Sequence, residues 1–509
     1  MARLHEYQGK ALLREHGIGV PRGRAVTSAE DARDAAEEIG ARVVLKVQAW
    51  ITSRKAKGGI VFADTPDEAA AAAARLLAMS FGNFPVTEVL VEETLDIANE
   101  LFVSLSIDDA AQAPVLLLDC HGGSGIEERA QTVARLPVSA TEGVSAADVR
   151  RVVEDSAVDK SLHEELIAVI TKAANIARQV EARSLEINPL VTTRDGRIIA
   201  ADCRVTVDDY AIFRHPELGI EIARELDHPA TELERIAYEL EKNDHRGTFY
   251  FAQLPTEGAG ESLGLIGFHG AGGGGSMMSM DAVTNEGFTI ANFCDTSGNP
   301  SVAKVYRAAR IICTQPGLVG YFGSGSGVAS QEQYHSAYGL AKAFIELNMA
   351  IPVVIRLGGN SEDRAVDILH DACRHLPAKI ECYRKDDTPA FCADRFRTLV
   401  EEAVGGPAAM KRRVPGFVGR SDSYTFPIDG GTVWIDHRNC NPDTARFVVE
   451  QSAGLLELDE QGRPVLAVSE EDVANKDSEL IACEIECFRA GRPVIFVDLA
   501  IPVLDDAAA

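Results

Sequence analysis

From about residue 246 to residue 405, apolar runs of strand length alternate with helical segments, and no other feature constrains this chain so strongly. LGLIGF leads into GAGGGGSMMSMDAVTNEG. TIANFCD leads into the helix-period run SVAKVYRAARII, and GLVGYF into a Gly/Ser loop and QEQYHSAYGLAKAFIELN ahead of IPVVIRL. Strands joined through helices are joined by crossovers, which predicts a parallel sheet with ligands at the carboxyl ends of its strands.

Residues 1–245 follow another order. Short β-rich runs (ARVVLKVQA, GIVFAD, TEVLVEE, ELFVSLSID, APVLLLD) mix with Ala- and Glu-rich amphipathic helices such as PDEAAAAAARLLAMS. SLEINPLVTT, the turn RDG and RIIAADCRV read as a β-hairpin. This pattern predicts α+β, with helices on one side of a sheet, rather than a doubly wound fold. GGPAAMKRRVPGFVGR is rich in Gly, Pro and basic residues and reads as a linker over 406–424. Residues 425–509 carry their own strand–helix–strand–helix–strand pattern. The expected chain is a multidomain α/β and α+β protein divided at 1–245, 246–405, 406–424 and 425–509. Its 509 residues suffice for three cores.

A formal net charge of −27 argues against nucleic acid or an anionic membrane as the main partner. The start, MARLHEYQGK, has no apolar signal core, and no stretch approaches the ~18 apolar residues of a membrane span. Ten scattered cysteines without a signal segment read as reduced thiols. The expectation is a cytoplasmic enzyme.

Several residues have the chemistry of a polyphosphate site. Lys46 ends a strand and precedes the basic loop Arg54, Lys55, Lys57, Gly58, Gly59, which suits polyphosphate but equally suits a solvated hairpin tip. Glu92 and Glu100 flank a change of strand, where carboxylates can accept from ribose hydroxyls or an exocyclic amine, or simply face water. Asn188 and Asp202 face each other across the expected hairpin, an oxygen pair suited to Mg²⁺. Gly323 to Gly327 is a glycine-rich loop ahead of a helix expected to begin near Ser330, with Ser330 and Gln333 as a capping box. Such a loop offers N–H groups to phosphate, or is a flexible turn.

These residues recur in an order that resembles the succinyl-CoA synthetase β subunits, whose amino-terminal half is an ATP-grasp domain and whose second domain is flavodoxin-like. The resemblance rests on LHEYQGKALLREHGI, VLVEETLDIANELFVSLSID, SLEINPLV and DCRVTVDDYAIFRHPEL, then on GAGG…SMMSMDAV, ANFCD and IPVVIRLGGN, across roughly residues 1–400. It implies ATP/ADP and Mg²⁺ as cofactors and an ADP-forming carboxylate–CoA ligase as the activity. Lys46 and Arg54 would hold the phosphates, Glu92 and the backbone near Leu95 would border the adenine, and Glu100 would hold the ribose. Asn188 and Asp202 would hold Mg²⁺, and Glu186 would steady a phosphohistidine. In the family that histidine lies in a Gly-His-Ala-Gly-Ala context on an α-type subunit, which would also bind most of the CoA. None of the twelve histidines here has that context. The implied partners are therefore an α-type subunit and a small carboxylic acid.

The sequence departs from the family in three places. The loop after Lys46 reads Thr-Ser-Arg-Lys-Ala-Lys-Gly-Gly instead of Gly-Gly-Arg-Gly-Lys-Ala-Gly-Gly. The Asn-Gly-Ala-Gly loop becomes His269-Gly-Ala-Gly, and Phe-Gly-Gly-Ile-Val becomes FGSGSGVAS around Gly325, Ser326 and Gly327. Both changes imply an acid other than succinate, with His269 as a hydrogen-bond donor to it, or else an orienting or merely exposed residue. The tail resembles a single-cluster bacterial ferredoxin, but Asp443 and Arg446 replace two ligands, leaving Cys440 and Cys487. A ferredoxin-like fold with no iron–sulfur cluster is expected, serving assembly or covering the site. Two readings compete: an active ligase subunit and a degenerate regulatory or scaffolding one. An electron-transfer role is disfavoured by the missing cysteines.

Overall fold

In a computed structural model of the chain, residues 2–49, 54–120, 133–224, 228–244, 246–256, 262–325, 327–403, 427–428, 432–435, 442–451, 454, 456–467, 473–491, 495–497 and 499 are described. They form two compact units, Met1–Ala230 and Thr231–Ala509.

Unit 1 opens with helix α1 (Glu6–Glu15). A four-stranded antiparallel sheet follows, built from β1 (Gly23–Val26), β2 (Val43–Val47), β3 (Ile60–Ala63) and β4 (Val89–Glu93) in the order β1-β4-β2-β3. Helices α2 (Ala29–Ile39) and α3 (Pro66–Leu77) cover one face. Each starts where the sequence supplies a cap: Ser28 accepts from Asp31 N–H, and Thr65, ahead of Pro66, accepts from Glu68 N–H. Their contact is made by alanines (Ala32, Ala35, Ala36, Ala69, Ala72, Ala73), small enough to bring both helices down onto Val43, Leu45, Val47, Val89 and Val91. Strand alternation then sends Lys46 and Glu92 to the opposite face.

The larger sheet of unit 1 holds eight strands among the described residues. Its central members are β5 (Ile97–Asp108), β6 (Ala113–Asp119), β7 (Ala134–Ser139), β8 (Ala182–Thr193), β9 (Ile198–Ala200) and β10 (Arg204–Val207). All its pairings are antiparallel. The expected hairpin is present, with Leu190 opposite Ala200 and Glu186 opposite Arg204.

Unit 2 carries a sheet in the order β11 (Tyr250–Gln253), β13 (Asn292–Asp295), β12 (Leu265–Ala271), β14 (Leu318–Gly325), β15 (Val353–Arg356), β16 (Ile380–Tyr383). Only the β11 edge pairing is antiparallel along this path; the others are parallel, as the alternation predicts. Helices α4 (Gly273–Asn285) and α8 (Pro389–Glu402) pack together. The neighbouring helices α5 (Val302–Ile312), α6 (Tyr334–Glu346) and α7 (Glu362–Cys373) also pack together. The strand order reverses beside β12, so the carboxyl ends of β12 and β14 border the switch point where ligands of such sheets bind.

Helix α9 (Val473–Arg489) lies against α5, α6 and α7. Its Leu480, Ile481 and Ile485 join the same apolar cluster as Tyr306 and Phe344. Every residue of α5 is buried, which an amphipathic surface helix would not show. Cys440, named above as a ligand-position residue, lies outside the described residues. Asp443 and Arg446 are exposed on helix Pro442–Gln451, and Cys487 is half-buried on α9.

Candidate functional site

The side of the small sheet away from its helices carries a buried cluster of charge. Lys46 Nζ lies 2.8 Å from Glu6 Oε1, 2.9 Å from Glu92 Oε2 and 2.8 Å from the Ala201 carbonyl oxygen. Arg54 Nη1 donates to Glu6 Oε2 at 2.6 Å and Nη2 to Asp202 Oδ2 at 2.7 Å. Lys10 completes the set from α1, 2.7 Å from Glu6 and from both oxygens of Glu92. Burial opposes ionisation of Glu6, but Lys46, Lys10 and Arg54 outweigh it and hold its carboxyl well below the usual range. Burial likewise opposes the charge on Lys46, and Glu6, Glu92 and Asp202 outweigh that and hold it protonated.

Arg54 is 6% exposed, so it is a built part of this cluster and not a solvated hairpin tip. The loop closes behind it through Gly58, whose φ of +76° is open to glycine and whose N–H donates to Lys55. Lys55 and Lys57 are exposed, and Thr52 and Ser53 lie outside the described residues.

Asn188 and Asp202 occupy facing positions in the hairpin, between the pairs Leu190–Ala200 and Glu186–Arg204. Asn188 Nδ2 donates to Glu186 Oε1 at 3.2 Å, which turns its carbonyl oxygen away from that carboxylate. Asp202 Oδ1 is buried without a hydrogen-bond partner. A buried oxygen left in that state calls for a cation or a donor, and the Asn188–Asp202 oxygen pair is the donor set that Mg²⁺ takes. The residues fit the ion. Glu186 borders a cleft of about 320 Å³, lined also by His5, Arg54, Ser184 and Arg204.

Glu92 is placed among the lysines and has both oxygens engaged by them. Leu95 sits in the link between β4 and β5, half-buried, with its backbone N–H and C=O unbonded to the described residues. Glu100, opposite Val191 on β5, has no side-chain hydrogen bond to the described residues. Glu6 and Lys10 were not among the expected site residues. Their signal was periodic: positions 6, 9, 10 and 13 share one helix face with the fully buried Leu13, so two charges lie on an inward stripe.

In unit 2, the carboxyl ends of β12 and β14 lie side by side, Ala271 opposite Gly325. A Cβ at Gly270 would lie 2.2 Å from Ser276 Oγ, so only glycine lets the first turn of α4 settle there. Asp295 accepts from Gly272 N–H and Ser297 N–H, both at 2.8 Å, and fixes the entry to that helix. Arg356, another residue the sequence did not single out, donates to the Gly325 carbonyl at 2.7 Å and holds the loop from beneath. Its signal was a charge closing the apolar run IPVVIRL. Gly327 follows at φ +78°, and Ser326 lies outside the described residues.

The helix expected near Ser330 begins instead at Tyr334, with Gln333 as N-cap and no side-chain cap bond. Gln333 N–H is taken by the Asn360 carbonyl, and Ala329 bridges Gly359, so a neighbouring loop holds the segment out of the helix.

His269 meets an arrangement other than the expected donor to an acid. Nδ1 lies 2.5 Å from Tyr321 Oη and Nε2 3.0 Å from Thr296 Oγ1, so both nitrogens are engaged within the protein. Burial pushes its pKa down to about 4 from 6.5. Between those values the unfolded chain binds the extra proton, so stability falls as pH drops from 6.5 toward 4. At pH 5 the loss attributable to His269 should be roughly 2 kcal/mol. Denaturant unfolding at pH 7 and pH 5 should show a larger drop for wild type than for His269→Gln, and equal drops would refute it.

The antiparallel sheets and the buried cationic cluster they hold belong to an ATP-grasp ligase. An ATP-grasp domain model matches residues 3–192. The GDP-forming succinate–CoA ligase subunit beta of Thermus thermophilus is 34% identical over 384 residues, covering 74% of this chain and 96% of that protein. The ADP-forming counterpart from Ignicoccus hospitalis is 33% identical over 377 residues, covering 72% and 94%. In fold, the chain matches an ATP citrate lyase structure from Methanothrix soehngenii with a TM-score of 0.63 at 18% identity, over 79% of this chain and 99% of that one. The chain belongs to the succinate–CoA ligase β-subunit family.

Proposed function

We propose that this chain is the nucleotide-binding subunit of an ADP-forming carboxylate–CoA ligase that works through a phosphohistidine on a partner α-type subunit. The observation that carries the proposal is the hairpin register, which brings Asn188 and the unpartnered Asp202 Oδ1 beside Arg54 and Glu186. In this reading Lys46 and Arg54 take the phosphates, the free backbone at Leu95 takes the adenine edge, and Glu100 takes the ribose. Glu92 is assigned to holding Lys46. Asn188 and Asp202 would hold Mg²⁺, which supplies charge neutralisation on phosphoryl oxygens. Glu186, steadied by Asn188, would receive the phosphohistidine. Gly325 and Gly327 belong to the anion loop for phosphate beside the acid.

Acid- and CoA-dependent ADP release by the chain purified with its partner tests the activity. Calorimetry tests the site alone: MgADP should bind, and Asp202→Ala should weaken it at least about tenfold, because the variant removes both an oxygen ligand and the anchor of Arg54. A wild-type chain that binds no MgADP would make it a scaffold.

A further inference from the structure

Two ammonium groups in unit 1 share one set of acceptors. Lys10 Nζ contacts Glu6 Oε1 and both Glu92 oxygens at 2.7 Å, and the Ala201 carbonyl oxygen at 2.9 Å. Lys46 Nζ contacts the same Glu6 Oε1, the same Glu92 carboxylate and the same carbonyl oxygen. An ammonium has three N–H donors; Lys46 gives one to Glu6 and one to the Ala201 carbonyl oxygen and is held in an ion pair with Glu92, so its charge in this arrangement is directed inward. To turn that charge to a phosphate it must loosen its hold on these acceptors.

Lys46 can do so only because each acceptor has a second ammonium. The Lys10 side chain is 3% exposed against 12% for Lys46, so Lys10 lies deeper. We propose that Lys10 is a positioning residue for nucleotide binding, a buried stand-in cation that keeps Glu6 and Glu92 neutralised while Lys46 turns to the phosphates. Without it, Lys46 leaves a buried carboxylate uncompensated, a strongly unfavourable state that pins Lys46 to the interior. Arg54 does not substitute, because it reaches Glu6 Oε2 and Asp202 but makes no bond to Glu92. The proposal rests on the reading that nucleotide phosphates bind at Lys46.

The test is calorimetry of MgADP on the full chain, with thermal unfolding to establish that each variant folds. Lys10→Met should raise the Kd at least about tenfold although Lys10 touches no ligand, and Lys10→Arg should restore most of the loss. The double variant Lys10→Met/Glu92→Gln removes one carboxylate along with the ammonium, and should return the Kd to within about threefold of wild type. A merely structural role for Lys10 would leave the double variant no better than the single one. The proposal is overturned if Lys10→Met binds within about twofold of wild type, or if the double variant binds no tighter than Lys10→Met. Should Lys10→Met fail to fold, Glu92→Gln alone decides: with one carboxylate fewer to neutralise, Lys46 should bind MgADP more tightly, and unchanged or weaker binding overturns the proposal. Absence of binding by the wild-type chain is a different outcome, and refutes the nucleotide reading itself.

Discussion

Lys342→Met should destabilise unit 2 by about 3–5 kcal/mol, the usual consequence of removing one member of a fully buried ion network. Lys342 on α6 is 0% exposed, with its Nζ 2.8 Å from Glu346 Oε1 and 2.5 Å from Glu484 Oε2 on α9. The rings of Tyr306 and Phe496 lie 5.4 and 5.0 Å from it. Burial alone would push the ammonium toward its neutral form, but Glu346 and Glu484 outweigh that and hold it charged. After the substitution Glu346 keeps Arg310 and the Tyr306 hydroxyl, both within 2.6 Å, whereas Glu484 loses its 2.5 Å contact with the Lys342 ammonium. The damage therefore falls on the contact between α6 and α9. Lys342→Met/Glu484→Leu should recover most of the loss, since exchanging a whole buried pair for apolar groups is often neutral. Urea midpoints of the two single variants and the double variant give the coupling energy. A Lys342→Met loss below about 1 kcal/mol, the range of an exposed pair, would mean that this network is not closed to water.

That network also shows where reading the sequence succeeds and where it stops. Local periodicity is set by neighbours along the chain, so the hairpin carrying Asn188 and Asp202 was legible from two apolar runs and one turn. The parallel sheet of unit 2 was legible for the same reason, and its switch point followed from strand order. The partners of a charged side chain are set by tertiary distance, and no period encodes them. Glu6 meets Arg54 across 48 residues, Lys10 meets Glu92 across 82, and Lys342 meets Glu484 across 142. His269 was legible as a departure from the family, but its two partners are 52 and 27 residues away, and they turn a candidate donor into an internally bonded ring. The start of α6 was misplaced for a related reason: the Asn360 carbonyl takes the N–H that a Ser330 cap would have served. The small-sheet face bearing Lys46 was derivable from alternation alone, once the alanine-rich helices were known to take the other face.

Lys46→Met is expected to lower turnover by about 10²–10³, the range found when one preorganised donor to developing charge is removed, while leaving the fold close to wild type. The second half of that expectation is the unusual one, because a buried charge is normally dangerous to delete. Here the acceptors of Lys46 are the acceptors of Lys10, so Glu6, Glu92 and the Ala201 carbonyl each keep an ammonium 2.7–2.9 Å away. Methionine also fills much of the volume of the lysine stem among Leu90 and its neighbours on that face. Arg54 stays anchored to Glu6 and Asp202, so some phosphate affinity remains and saturating nucleotide can still be supplied. Lys46→Arg should not restore the rate, since a planar fork does not reproduce a compact ammonium reaching three acceptors from one point. Turnover with saturating nucleotide, read beside the thermal midpoint, separates the two effects. A rate within about tenfold of wild type would remove Lys46 from the reacting phosphate, and a fall in midpoint as large as that of Lys342→Met would show that Lys10 cannot carry the cluster alone.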